Sequence, residues 1–167
     1  DPLTLCIDPA RVEDAITERT KAILAVDVFG HPADWPTLER IAEEHGLLLI
    51  DDSAEALGSE IAGRRCGSFG DAGVFAFYPN KQITTGEGGM ILTDDPNLAS
   101  LCRSMADQGR GDGGWLDHVR LGYNYRLDEL SAALGLSQFS RLDGIIAARN
   151  RVASWYDEAL SDIEGLI

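Results

Sequence analysis

Lysine is nearly missing from this chain. Lys21 and Lys81 stand beside twelve arginines. Chemistry that needs a primary amine therefore falls on one of two positions. Cysteine is scarce as well: Cys6, Cys66 and Cys102 are odd in number and widely spaced. They do not suggest a disulfide frame and read as reduced thiols in a cytoplasmic protein. His31, His45 and His118 show no metal-ligand spacing with them, so no metal is expected. Positive charge is short overall. Lys and Arg total 14 against 28 Asp and Glu, a net charge of −14. Such a surface repels phosphate backbones, which argues against nucleic acid as a partner. No apolar stretch is long enough to span a membrane. Asp1-Pro-Leu-Thr4 carries no signal-peptide pattern, and no internal repeat or low-complexity segment is present. With 44% apolar and 25% charged residues, the 167-residue chain suits one globular domain.

The chain is organised around Phe75-Ala-Phe-Tyr-Pro-Asn-Lys81-Gln-Ile-Thr-Thr-Gly86-Glu-Gly-Gly89. Gly73 to Phe77 reads as a short buried strand, and Pro79 ends it because proline cannot donate to a sheet ladder. Lys81 follows at once, then a glycine cluster that lets the backbone turn tightly. A second apolar run, Met90 to Leu92, leads away as another strand. A lysine just past the carboxyl end of a buried strand sits where open α/β sheets place ligands. No charged residue follows before Glu87. A lysine kept partly out of water is suited to form a covalent bond with a carbonyl compound. Lys21 lies in the charged stretch Thr17-Glu-Arg-Thr-Lys21 and reads as solvated.

The remaining elements are βαβ in character. Asp8 caps a short helix with Pro9 first and Val12 and Ile16 inward. Lys21 to Val26 reads as a buried strand. Asp34 caps a helix with apolar face Leu38, Ile41 and Ala42, and Gly46 stops it. Leu47 to Ile50 reads as a fully buried strand ending in Asp51-Asp52. Strand, helix, strand in this order predicts an α/β fold with a mostly parallel sheet and flanking helices. Ser59 to Gly67 reads as a small hairpin or excursion. Asp94 to Ala106 reads as a helix with Leu98, Leu101, Cys102 and Met105 apolar. Asp107 to Leu116 is a glycine-rich loop in which Arg110, Trp115 and His118 read as surface residues. From Arg141 a long helix follows, with Leu142, Ile145, Ile146, Val152, Trp155, Tyr156 and Leu160 at helical spacing.

Four motifs together resemble the DegT-type sugar-nucleotide aminotransferases, within fold type I of the pyridoxal-phosphate enzymes. They are the lysine stretch, Asp51-Asp52-Ser-Ala-Glu55-Ala-Leu-Gly58, Ser68-Phe-Gly-Asp71, and Gly122-Tyr-Asn124-Tyr-Arg126. The resemblance implies that Lys81 holds pyridoxal 5′-phosphate covalently and then serves as general base and acid. It implies that Asp52 pairs with the protonated ring nitrogen, which makes the ring an electron sink. Glu55 falls where relatives place Gln or His against the coenzyme. Asn124 falls where relatives bind the coenzyme phosphate of the neighbouring subunit in a homodimer with shared active sites. A second reading has Asn124 only cap the following helix. Ala76 departs from the pattern, since many relatives carry a phosphate-binding serine there. Apart from the resemblance, the pair Asp51-Asp52 reads as a helix cap plus a solvated carboxylate.

The implied reaction moves an amino group from glutamate or glutamine to a keto-sugar nucleotide. Some relatives replace the lysine by histidine and dehydrate instead. The resemblance implies that residues 1–140 are part of the large pyridoxal-phosphate-binding domain. Residues 141–167 would be a helix leading toward a small domain. Relatives carry a phosphate cup before the matched region and a small domain after it, so this chain alone is expected to be a poor catalyst. Two alternatives differ in class: a non-enzymatic receiver-like signalling module, and a family member without catalysis. The short spacing from Asp52 to Lys81 disfavours the receiver.

Overall fold

The computed structural model of the chain describes residues 1–165. Helix α1 spans Pro9–Ala15, strand β1 Ala22–Val26, helix α2 Trp35–His45 and strand β2 Leu48–Asp52. A short hairpin pairs β3 (Glu60–Ile61) with β4 (Arg64–Arg65). Strands β5 (Ala72–Ala76) and β6 (Gly89–Leu92) flank the lysine stretch, and helices α3 (Pro96–Ala106), α4 (Glu129–Phe139) and α5 (Leu142–Leu160) follow.

The main sheet has the order β1-β2-β5-β6. β1, β2 and β5 are parallel, and β6 returns antiparallel to β5. The register pairs Val26 with Asp52 and Asp52 with Val74. This alignment brings the carboxyl ends of three parallel strands side by side, so their following loops share one rim of the sheet.

Local chemistry explains the helix that backs this sheet. The Asp34 carboxylate accepts from the Thr37 amide at 3.3 Å, which satisfies an otherwise orphaned donor of the first turn. At the other end Gly46 adopts φ 62°, a left-handed conformation that glycine takes without a Cβ clash. Between these stops, Trp35, Leu38, Ile41 and Ala42 are buried on one face. They meet Ile23, Ala25 and Leu49 of the sheet, with Val12 of α1 alongside. Trp35 stacks on Phe69 with ring centroids 5.5 Å apart, and the Arg64 guanidinium covers Phe69 at 4.2 Å. Burial of each of these large apolar side chains stabilises the fold by roughly 1.5–3 kcal/mol.

The strands differ from expectation in one respect. β1 and β2 read as buried throughout, yet they alternate: Ile23 and Leu49 are buried while Leu24 and Leu48 are each 56% exposed. The reason is one-sided cover. The core described above gathers on one face of the sheet, and among the described residues the outward side chains stay open. Every residue of β6 is exposed, as are Leu101 and Met105 of α3 and Val152, Trp155 and Tyr156 of α5. No helix of the described residues is long and apolar enough to cross a membrane.

Leu38→Ala should cost roughly 2–5 kcal/mol, because Leu38 is fully buried and its removal leaves a cavity against the sheet. Chemical denaturation measures this directly. A loss below about 1 kcal/mol would mean that α2 is not the clamp on this core.

Candidate active site

The lysine stretch is a loop between two strands held by its own backbone. β5 ends at Ala76. Beyond it the Phe77 amide donates to the Gly88 carbonyl at 2.8 Å, and the Thr85 amide to the Phe77 carbonyl at 3.0 Å. The Lys81 amide closes a turn on the Tyr78 carbonyl at 3.0 Å. The hydroxyls of Thr84 and Thr85 are spent within the loop, on the carbonyls of Phe77 and Glu87. Ala76 offers no hydroxyl.

In sequence Lys81 has no near acid on its amino-terminal side and none before Glu87 on the other. The fold supplies one. Lys81 Nζ lies 3.0 Å from Glu55 Oε1, and the lysine side chain is only 15% exposed. The second oxygen of Glu55 accepts the Phe29 amide at 2.9 Å. The Lys81 hydrogen bond, then the Phe29 amide, hold the Glu55 carboxyl below the usual carboxylate range. Glu55 is thus an anion shared by the loops after β1, β2 and β5. Phe29 keeps φ at 54°, a left-handed conformation uncommon outside glycine.

Asp52 ends β2 at the same rim and is half-buried. Its Oδ1 accepts the Ala54 amide at 3.1 Å. Among the described residues its other oxygen accepts nothing, so one acceptor stays open. Ala54 and Ala56 keep the following turn small, and Ala56 is fully buried.

Asp51 is neither a helix cap nor solvated, contrary to the sequence reading. No helix follows it, and its alternation along β2 points it into the core, where it is fully buried. Its Oδ2 accepts the Gly67 amide at 2.5 Å and the Phe69 amide at 3.4 Å. Its Oδ1 lies 2.7 Å from the Ser53 hydroxyl, and that same hydroxyl lies 2.7 Å from Asp27 Oδ2. Asp27 also accepts the Ala33 amide and the Trp35 indole N–H, each at 2.8 Å. One hydroxyl hydrogen faces two carboxyl groups, so the trio is best satisfied when one acid is protonated. Burial pushes Asp51 up to about 6; the Ser53 bond opposes the shift and the Asp27 charge adds to it. Burial, then the Asp27 carboxylate, also push the neighbouring Cys66 thiol up.

Asn124 stands apart from this rim. It is exposed, its Oδ1 accepts Arg126 Nε at 3.0 Å, and its backbone pairs with Asp107. It does not cap α4. Asp128 does, accepting the Leu130 and Ser131 amides at 3.0 Å each. The capping reading of Asn124 is therefore overturned. In the glycine-rich loop, Arg110 lies over the Trp115 ring at 4.4 Å and His118 Nδ1 meets the Gln108 carbonyl at 2.9 Å. Sequence reasoning missed Asp27, although it follows β1 as Asp51-Asp52 close β2. That shared position at a strand end was the available signal.

The sequence profile of the DegT/DnrJ/EryC1/StrS aminotransferase family matches residues 1–167. The chain is 44% identical over 161 residues to the GDP-perosamine synthase of Caulobacter vibrioides, covering 96% of this chain and 43% of that protein. It superposes with a TM-score of 0.91 on Helicobacter pylori PseC, an aminotransferase involved in the biosynthesis of pseudoaminic acid. That match has 34% identity and covers 95% of this chain and 43% of that one. A third structure is the E. coli GDP-4-keto-6-deoxy-D-mannose-3-dehydratase with bound hydrated PLP. It gives a TM-score of 0.86 at 28% identity, over 98% of this chain and 46% of that one. The chain thus spans less than half the length of these relatives. A mostly parallel sheet thus carries a lysine, its carboxylate partner and a half-buried acid at its strand ends. The chain belongs to the DegT/DnrJ/EryC1/StrS aminotransferase family.

The shared proton gives a pH prediction. The folded pKa of Asp51, about 6, lies above the unfolded value near 3.8. Its contribution to stability is therefore fully present below about pH 4 and lost as pH rises through about 6. Asp51→Asn keeps a donor for Ser53 and an acceptor for Gly67. Relative to the parent protein, this variant should gain about 1.4 kcal/mol between pH 5 and pH 8. Parallel stability curves for the two proteins would show that Asp51 does not titrate in this range.

Proposed function

We propose that the protein containing this chain is a pyridoxal-phosphate-dependent aminotransferase that moves an amino group from glutamate or glutamine to a keto-sugar nucleotide. The observation that carries the reading is the amine–carboxylate pair of Lys81 and Glu55 at the rim where Asp52 keeps an open oxygen. These residues fit the ring end of the coenzyme. Lys81 supplies the amine that attaches it, and Asp52 an acid for its ring nitrogen. The names of the relatives support the substrate class, since they include a GDP-perosamine synthase and an enzyme of a GDP-keto-sugar. Lys81 favours amino transfer over dehydration, because a lysine amine can both hold a carbonyl group and carry a proton.

In this reading the chain's own groups divide the work. The coenzyme, when bound, supplies an electron sink for charge left on the amino-bearing carbon. Lys81 Nζ would hold the coenzyme and, once free as a neutral amine, would carry a proton to and from the substrate carbon. Glu55 would hydrogen-bond the free Nζ and keep it at the rim. Asp52, with one oxygen open, would supply the acid that keeps the ring nitrogen protonated. Asn124 faces outward and serves the coenzyme phosphate of the second subunit of a homodimer, where Ala76 gives no hydroxyl. The acidic surface and reduced thiols suit a cytoplasmic enzyme with small-molecule partners.

Two measurements on the full-length protein test the reading. Asp52→Asn should leave the coenzyme bound but slow the half-reaction by several orders of magnitude, as stopped-flow absorbance would record; near-parental rates would remove Asp52 from this role. Mixing inactive Lys81→Ala with impaired Asn124→Ala should restore activity, because a mixed dimer then holds one site with both lesions and one with neither. If mixed dimers form and no activity returns, Asn124 does not act across the interface.

A further inference from the structure

In the loop that carries Lys81, two backbone groups without backbone partners are met by side chains from distant helices. The Lys81 amide bonds to Tyr78 and the Thr85 amide to Phe77, but the Lys81 carbonyl and the Thr84 amide lie between these bonds. Each is met by one side chain from the carboxyl-terminal helices. Arg149 Nη2 of α5 donates to the Lys81 carbonyl at 3.0 Å. Gln138 Oε1 of α4 accepts from the Thr84 amide at 3.1 Å. Among the described residues these are the only bonds to the two groups. The Thr84 bond is partly buried, where an unpaired main-chain donor is costly, and the Lys81 carbonyl bond is exposed; together the two contacts favour this shape of the loop. Ile146, one turn before Arg149, lies against Gly58, so close that a Cβ there would be 2.2 Å from Ile146 Cδ1. The helix is thereby seated on the turn that follows Glu55.

We propose that Arg149 is a positioning residue for Lys81: its guanidinium fixes the main chain from which the lysine amine reaches Glu55. The inference rests on the assignment of Lys81 as the reacting amine. The three holds on Lys81 are of different kinds. Its amide belongs to the loop's own turn, its Nζ to Glu55, and its carbonyl to a residue 68 positions later in the chain. The first two persist in any loop that keeps the Tyr78 turn and the ion pair. The carbonyl hold is the one that fixes how the peptide plane after Lys81 is turned, and hence where the side chain sets out. A charged donor to a carbonyl also makes a stronger bond than a neutral one. Arg149 itself is exposed, so its removal leaves no cavity. A small displacement of a reacting amine lowers the rate of chemistry far more than it weakens substrate binding.

The test compares Arg149→Ala, Arg149→Lys and the parent in the full-length protein. Arg149→Ala should lower kcat roughly 10- to 100-fold while KM for both substrates stays within about threefold. Amide hydrogen exchange, read by mass spectrometry without coenzyme, should quicken about fivefold or more over residues 78–85 and not elsewhere. Added guanidinium ion should restore part of both quantities in Arg149→Ala, and Arg149→Lys should keep most of the exchange protection. Unchanged exchange over 78–85 overturns the proposal, as does a rise spread evenly over the chain with no guanidinium rescue. A protein that binds no coenzyme would defeat the functional reading, and the exchange and rescue data would still judge the Arg149 contact by themselves.

Discussion

One carboxylate holds the functional rim together. Glu55 follows β2, pairs with the lysine that follows β5, and accepts the amide of Phe29 after β1. Three loops that leave three parallel strands thus meet on a single anion. The contact is not a large source of stability. Its groups are partly open to solvent, and such pairs contribute about 0–1 kcal/mol. Its value is placement, since it sets the lysine amine at a strand end where ligands of α/β sheets bind. The strand register makes the meeting possible by aligning Val26, Asp52 and Val74 across the sheet.

Behind the rim lies a second, hidden layer. Asp27, Ser53 and Asp51 tie the ends of β1 and β2 to the Gly67–Phe69 turn through buried hydrogen bonds. Asp51 and Asp52 are adjacent, yet the strand's alternation sends one into the core and leaves the other at the rim with a free oxygen. Two acids with the same chemistry thereby acquire different surroundings, one in the core and one at the rim. The helices α4 and α5 close the arrangement from outside by binding two main-chain groups of the lysine loop.

Much of this was legible in the sequence because it depends on local rules. The caps Asp8 and Asp34, the stop at Gly46 and the hairpin at 59–67 follow from capping and turn chemistry, and all four are where the pattern put them. Lys81 stood out by scarcity and by its place after a strand. Other features were not legible. The burial of Asp51 depends on which face of β2 the core takes, and a run of apolar residues does not say. The Glu55–Lys81 pair joins residues 26 apart, and the Arg149 bond spans 68. Asn124 looked able to cap α4, but Asp128 sits one turn later in the right conformation. The continuous apolar runs of β1 and β2 are the signature of strands covered on both faces. Here one face is open, in a chain that spans less than half the length of its relatives.

Every functional step assigned to this chain passes through one nitrogen, Lys81 Nζ. Incubation of the full-length protein with pyridoxal 5′-phosphate, borohydride reduction and peptide mass analysis reads that nitrogen directly. The account predicts a single reduced coenzyme adduct, on the peptide that contains Lys81. An adduct on Lys21, or elsewhere with Lys81 unmodified, would contradict it.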